Sequence, residues 1–275
     1  MEVVLLEVAS ALYLVATSAF CIYLLRSQSK AGGFAPVALA AGFAVHSVAV
    51  GLRSLSVGML PVTGFSEGMS FFAWLMVGAF LVLNGRYRLK VLGAVTSPLA
   101  CALTAGSLLL YEGPTAVPEL LRSPWLPVHV TLAFLGHAIF ALAFAVSSAY
   151  LLQERLLKSH RSGQMISRLP SLEKLDRLNY RCLAWGLPLL TLAILSGGIW
   201  ASAAWGRFWS WEPREVLSLV TWVIYAALLR SRLTADLRGR KAAVYTMVGF
   251  AVLVVSYLSV NILPLAGRHG GGFGS

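Results

Sequence analysis

The sequence predicts an all-α polytopic membrane protein with about eight transmembrane helices and both termini on the outer face of the membrane. The prediction rests on the share of apolar residues, on their grouping into long runs, and on where the basic residues lie. Of the 275 residues, 58% are hydrophobic and 12% are charged, and the mean hydropathy is +0.76. A soluble domain carries about twice that charged fraction, so most of the apolar side chains must face lipid.

Eight apolar runs have about the length that a membrane-spanning helix needs, which is about 20 residues. They lie near residues 3–25, 34–52, 68–83, 91–111, 126–152, 183–204, 216–233 and 242–265. Each run is continuously apolar, unlike the short alternating segments that form membrane barrels. The first run lacks the basic flank and the cleavage site of a signal peptide, so we interpret it as a span. With no separate soluble domain in the sequence, residues 1–275 are expected to form a single integral membrane domain.

The net charge of +11 is explained better by membrane topology than by nucleic-acid binding. Most of the 22 Lys and Arg residues fall in alternate loops, at 26–30, 84–90, 153–182 and 230–241. The exceptions are Arg53, Arg122, Arg207, Arg214 and Arg268. Since basic loops stay in the cytoplasm, 153–182 is predicted to be a cytoplasmic loop lying on anionic lipid headgroups. The loops at 53–67, 112–125 and 205–215 are then on the outer face.

A tryptophan-rich loop, from Trp205 to Glu215, is the most distinctive segment of the sequence. Five of the eight tryptophans lie between Trp200 and Trp222. An aromatic belt at the headgroups explains one or two tryptophans per helix end, but not three within seven residues beside glycine, proline and charges. Such a platform suits a flat, hydrophobic and partly polar ligand. At its end, Glu212 followed by proline predicts the start of a helix.

The histidines fall into three groups. His129 and His269 are predicted at the outer ends of the fifth and eighth runs, on the same face as the tryptophan loop. Two imidazoles on opposite sides of a flat platform are what bis-axial ligation of haem iron requires, although each alone could be an interfacial histidine. His46 and His137 lie inside apolar runs, where a histidine is either functional or hydrogen-bonded to a neighbouring helix. We take His46 as a further candidate for haem binding, and His160 as solvated.

Glu67 and the three cysteines are further residues that could belong to a site. Glu67 either orients a positive group on the outer face or caps the third helix. The three cysteines, Cys21, Cys101 and Cys182, lie far apart and lack the spacing of a metal site, so we interpret them as structural.

A segment after Pro170 is predicted to form a short amphipathic helix capped by Ser171.

The tryptophan loop resembles the WWD motif of CcsA/ResC-type cytochrome c assembly proteins, a haem-handling family that includes HemX-like members. Further segments resemble this family in the same order along the chain. They are 61–71, His129 with 150–154, 218–225, 249–257, 260–263 and 267–269. The resemblance extends from about His46 to His269 and therefore covers most of the chain.

The resemblance implies a protein of the bacterial cytoplasmic membrane that binds haem b on the outer face and presents it to apocytochrome c. Haem is then attached covalently to a CxxCH motif, with a CcsB/ResB-like membrane protein as partner, so the chain would be a subunit of a haem lyase. His129 and His269 would be the axial ligands. The residues carried over to the haem platform are Trp205, Trp209, Trp211 and Glu212.

Three residues depart from the family pattern. Glu212 stands in place of an aspartate and Arg214 in place of a lysine, and both substitutions keep the charge. Arg230 occupies the place of a histidine that the family often has near the inner end of the seventh span. This third departure leaves an alternative open, which is a HemX-like membrane scaffold or regulator of haem biosynthesis without attachment activity. A transporter is a weaker alternative, because the sequence has no inverted repeat.

Overall fold

The described part of the chain is helical and contains no β-strand. The computed structural model describes residues 1–26, 29–62, 64–111, 113, 122–159, 168–234 and 237–262. Its helices in those ranges are α1 (Glu2–Arg26), α2 (Ser29–Val57), α3 (Phe65–Tyr87), α4 (Lys90–Leu109), α5 (Trp125–Lys158), α6 (Leu172–Trp205), α7 (Pro213–Leu233) and α8 (Arg240–Ile262). All eight are long and apolar enough to cross a membrane, which confirms the predicted fold class. The side of the membrane on which the termini lie stays a prediction.

The helices extend into the segment 153–182 that the sequence suggested as a loop. α5 continues to Lys158 and α6 begins at Leu172, so both ends of that segment are helical. The helix predicted after Ser171 is the first part of α6 and not a separate element. The Ser171 Oγ accepts a hydrogen bond from the Lys174 amide at 3.3 Å, as a helix cap does. The hydropathy of the sequence does not assign these last turns of α5 and first turns of α6 to the helices, because their residues are polar.

The chain divides into two compact units. Unit 1 contains residues 1–116 and 148–175, and unit 2 contains residues 117–147 and 176–275. Helix α5 therefore begins in unit 2 and ends in unit 1. One integral membrane domain can contain several compact units, so the predicted single domain stays a prediction.

Unit 1 is packed by aromatic rings of α1 lying against glycines of neighbouring helices. A Cβ atom at Gly42 of α2 would lie 2.8 Å from Tyr13 Cδ1, and one at Gly93 of α4 would lie 2.3 Å from Phe20 Cζ. Both rings are fully buried. Small residues allow transmembrane helices to approach closely, so these two glycines fix the contacts of α1 with α2 and α4.

Unit 2 contains an aromatic stack that touches all of its helices. Phe140 of α5 and Tyr225 of α7 lie face to face, with ring centroids 3.6 Å apart and an interplanar angle of 6°. A Cβ atom at Gly186 of α6 would lie 2.5 Å from Phe140 Cε1, and one at Gly249 of α8 would lie 3.4 Å from Tyr225 Cζ. The stack therefore positions α5 and α7, with glycines of α6 and α8 against its outer sides.

A buried polar cluster also joins three helices of unit 2. The Asn179 side-chain amide donates hydrogen bonds to Ser147 Oγ at 2.8 Å and to Thr246 Oγ1 at 3.1 Å. The three residues belong to α6, α5 and α8 and are buried. A polar side chain inside a membrane bundle has no water to bond with, so such contacts join helices.

Replacing Asn179 with leucine is expected to lower the free energy of unfolding by about 1 kcal/mol, which is typical of an interhelical hydrogen-bond network in membranes. Thermal unfolding of the purified protein in detergent measures the change. Ser18→Ala is the matched control, because the exposed Ser18 hydroxyl donates its hydrogen bond to the Leu14 carbonyl of its own helix. Equal stability of the Asn179 and Ser18 variants would contradict the prediction.

Candidate functional site

The tryptophan loop, Trp205 to Glu215, connects α6 to α7. Its first residue ends α6, its last three begin α7, and residues 206–212 between them are not helical. Gly206 follows the last helical residue and has a positive φ of 70°, which favours glycine. Its amide donates to the Ser202 carbonyl at 2.9 Å, and this bond closes the end of α6. The predicted helix start is confirmed, since Glu212 is the N-cap of α7 and Pro213 is its first residue.

Two glutamates hold the start of α7. Glu212 and Glu215 form a capping box, in which each side chain accepts a hydrogen bond from the backbone of the other residue. Glu215 Oε2 accepts from the Glu212 amide at 3.2 Å and also from the Ser210 amide at 2.8 Å. Trp211, between these amides, has a φ of 59°, a conformation that costs a bulky residue about 1–2 kcal/mol. The cap therefore holds Trp211 in a strained backbone conformation.

The loop tryptophans form a paired aromatic surface. The rings of Trp209 and Trp211 meet edge to face, with centroids 5.8 Å apart. Trp211 is 72% exposed. Trp209 is the opposite case, because its Nε1 atom is buried and has no hydrogen-bond partner among the described residues. The surface thus combines the exposed indole of Trp211 with the buried N–H group of Trp209.

His129 lies on α5 and its ring packs against α6. Its Nδ1 atom is 2.8 Å from the Ala193 carbonyl oxygen, so the ring donates its Nδ1–H there. The imidazole stacks on Trp200 at a centroid distance of 6.5 Å and an angle of 11°. Trp200 in turn meets Trp205 edge to face at 4.9 Å. An aromatic chain therefore runs from His129 to the last residue of α6.

Two consecutive glycines of α6 bring His129 and the loop to the same helical turn. A Cβ atom at Gly197 would lie 2.7 Å from His129 Cε1, and one at Gly198 would lie 2.4 Å from Phe208 Cζ. A side chain at either position would overlap one of these rings, so the glycines allow both rings to lie close to α6. The imidazole and the loop residue Phe208 are thus positioned by neighbouring residues of one helix.

His46 lies in unit 1, where it is fully buried. The Tyr13 hydroxyl is 3.1 Å from its Nδ1 atom, and the Ser70 hydroxyl is 2.9 Å from its Nε2 atom. Both ring nitrogens are therefore hydrogen-bonded to neighbouring helices. This is one of the two roles that the sequence allows for a histidine inside an apolar run. A role for His46 in haem binding would require one of these contacts to open.

Other residues singled out in the sequence have simpler surroundings. Glu67 pairs with a positive group, because its Oε1 atom lies 2.8 Å from Arg53 Nη2. This contact agrees with the first of the two interpretations of Glu67. Arg230 is exposed near the end of α7, and His137 is partly buried on α5. Outside the described residues lie His160 and His269.

Comparison with known proteins identifies the family. A sequence model described as "Cytochrome C assembly protein" matches residues 62–266, which is well over half of the chain. The chain belongs to the cytochrome c assembly protein family. It is 32% identical over 262 residues to the cytochrome c biogenesis protein CcsA of Microcystis aeruginosa, a match that covers 78% of this chain and 80% of that protein. With CcsA of Guillardia theta it shares 30% identity over 237 residues, covering 79% of this chain and 78% of that protein.

These relatives confirm the predicted resemblance to CcsA-type assembly proteins. Among solved structures, the chain is similar to the cytochrome c heme lyase CcmF, with a TM-score of 0.71 and 14% sequence identity. The similarity covers 96% of this chain and 47% of the CcmF chain, so this chain spans about half the length of that protein. At this identity the comparison shows a shared fold.

The contacts around His129 include residues that the sequence analysis did not assign to the site. Gly197 and Gly198 have no role in the sequence analysis, and Phe208 and Trp200 enter it only as a member and a neighbour of the tryptophan loop. Consecutive glycines in a transmembrane run are a recognisable sign of close packing, so the glycine pair could have been found. The position of Ala193 opposite His129 could not, because the two residues are 64 positions apart.

Proposed function

We propose that this cytochrome c assembly protein binds haem on the outer face of a bacterial cytoplasmic membrane and presents it for covalent attachment to apocytochrome c. The observation that carries the proposal is His129, held by the Ala193 carbonyl and by Gly197 beside the tryptophan loop. An imidazole fixed through Nδ1–H has its lone pair on Nε2, and this is the usual arrangement of a histidine that ligates a metal.

The loop residues fit haem as well. The Trp209 N–H is buried without a partner among the described residues, and a buried donor needs an acceptor such as a carboxylate. A haem propionate would supply that acceptor, while the exposed ring of Trp211 would supply an apolar face for the porphyrin. The acidic side chains of the loop do not compete for this role, because Glu215 is bonded to the backbone.

In the proposed site, His129 and His269 would hold the iron of haem b, and Trp205, Trp209 and Trp211 would hold the porphyrin. Bound haem supplies vinyl groups that react with the thiols of a CxxCH motif. The protein residues would hold the iron and orient the ring. A CcsB/ResB-like membrane protein is the proposed partner in this reaction.

The absorption spectrum of the purified protein tests the ligand assignment. His129→Ala is expected to lower the amount of bound haem at least about tenfold and to abolish the six-coordinate spectrum, and His269→Ala is expected to do the same. His137→Ala is the matched control, since it removes an imidazole from the same helix. An unchanged haem content and spectrum in the His129 and His269 variants would refute the assignment.

The departure at Arg230 favours a second candidate, a HemX-like scaffold that does not attach haem. Arg230 is exposed near the end of α7, in the place where the family often has a histidine. Co-expression with a CcsB-like protein and a CxxCH reporter decides between the two, because covalent haem on the reporter is expected only for the attachment function. Haem binding by the protein without any haem on the reporter would favour the scaffold.

A further inference from the structure

Unit 1 contains a small cavity, open to the surface, at one end of its four helices. It lies beside the first turns of α1 and α3 and the last turns of α2 and α4, so it is at the depth where helices leave the hydrocarbon core. Its lining residues are Glu2, Val3, Leu6, Ala49, Val50, Arg53, Pro61, Ser66, Glu67, Ser70, Ser107, Leu108 and Tyr111. The proposed haem site uses none of them.

A guanidinium between two carboxylates forms the charged part of the cavity. Arg53 Nη1 lies 3.1 Å from Glu2 Oε1, and Arg53 Nη2 lies 2.8 Å from Glu67 Oε1. The side chain of Glu2 is 25% exposed, while those of Arg53 and Glu67 are each 13% exposed. Two carboxylates share one cation, so the lining side chains carry one negative charge in excess.

The rest of the lining is divided between hydroxyl groups and apolar side chains. The Ser66 hydroxyl donates to the Ser107 carbonyl at 2.7 Å, and Tyr111 lies nearby on the same side of unit 1. Val3, Leu6 and other aliphatic residues line the remainder. The cavity has charged groups beside an apolar wall and lies where the helices leave the hydrocarbon core. Such a site suits a membrane lipid better than a water-soluble ion.

We propose that this cavity binds a phospholipid with a primary ammonium headgroup, phosphatidylethanolamine. The ammonium group would donate hydrogen bonds to the Glu2 carboxylate, and the phosphate would accept from the Arg53 guanidinium. A zwitterionic headgroup matches a site that presents both signs of charge, because each of its ions meets a partner of opposite sign. The first carbons of the acyl chains would lie along Val3 and Leu6.

The same chemistry predicts which lipids are rejected. Phosphatidylcholine keeps both charges but has no N–H donor, so it cannot hydrogen-bond to a carboxylate. Phosphatidylglycerol has no ammonium group, and its net negative charge is repelled by the excess carboxylate. Selectivity for the ethanolamine headgroup over both of these lipids is therefore the signature of the site.

Native mass spectrometry of the full-length protein tests the proposal, after addition of equal amounts of the three lipids to the detergent-solubilised protein. The wild type is expected to retain phosphatidylethanolamine preferentially. Glu2→Gln is expected to reduce that retention about fivefold, the effect of losing one partly exposed ion pair. This variant keeps the pairing of Arg53 with Glu67, so unit 1 is expected to remain folded.

Glu7→Gln is the matched control, since it removes an exposed carboxylate from the same helix outside the cavity. Its lipid retention is expected to equal that of the wild type. Equal retention of the three lipids, a preference for phosphatidylglycerol, or an equal loss in the Glu2 and Glu7 variants would each overturn the proposal. Displacement of the lipid by a soluble lysine peptide would also overturn it, because the occupant would then be a polypeptide.

Discussion

Gly197→Ala is expected to lower the affinity for haem about tenfold while leaving the stability of the fold almost unchanged. The new Cβ atom would lie 2.7 Å from His129 Cε1 and 2.8 Å from Nδ1. Since carbon atoms pack at about 3.5–4.0 Å, the imidazole must move by about 1 Å. The move would break the bond from Nδ1–H to the Ala193 carbonyl, which fixes the ring.

Stability should not fall with affinity, because alanine is favoured over glycine in a helix by about 1 kcal/mol. Haem titration followed by absorption measures the affinity, and thermal unfolding measures the stability. Gly51→Ala is the matched control, because a Cβ atom at Gly51 within α2 would meet nothing within 4 Å. An unaltered haem affinity in Gly197→Ala would show that the imidazole position does not matter for binding.

Asp176→Ala is expected to lower the free energy of unfolding by about 3 kcal/mol, the cost of leaving a buried charge without its partner. Two oxygens of Asp176 accept hydrogen bonds from Arg232, at 2.6 and 3.0 Å, and Oδ1 also accepts from the Gly239 amide at 2.9 Å. The Arg232 side chain is only 4% exposed and its guanidinium lies 5.8 Å from the Tyr180 ring. The cluster therefore joins the beginning of α6 to the connection between α7 and α8.

The double variant Asp176→Leu, Arg232→Met separates this cause from a general loss of packing. Removing both charges avoids the unpaired cation, so the double variant is expected to be more stable than Asp176→Ala. Glu154→Ala is the control, because the Lys158 side chain of that i,i+4 pair is 65% exposed and such a pair contributes about 0.5 kcal/mol or less. A double variant no more stable than Asp176→Ala would contradict the explanation.

The eight helices could be predicted from the sequence because length and apolarity are local properties of a membrane span. The boundaries near 153–182 could not, because polar turns at a helix end resemble a loop. One of those turns contacts a residue far away in the sequence, because the Lys174 side chain donates a hydrogen bond to the Tyr87 carbonyl at 3.1 Å. The partners of this contact are 87 residues apart, and no pattern in the sequence joins them.

The candidate site was predictable in its residue types but not in its packing. His129 and the tryptophan loop are distinctive in the sequence, and they lie near one end of α6 in unit 2. The environment of His46 was not predictable, because Tyr13 and Ser70 come from two other helices. Hydrogen bonds between helices depend on the rotation of each helix about its axis, which hydropathy does not determine.

The capping box at the start of α7 explains why an acidic residue stands at the end of the tryptophan motif. Aspartate and glutamate can both occupy the first residue before a helix, and aspartate is among the best residues at that place. Glu212 in place of the family's aspartate thus exchanges one helix initiator for another. The acid marks the boundary between loop and helix, so this difference between homologous sequences keeps a carboxylate at the N-cap of α7.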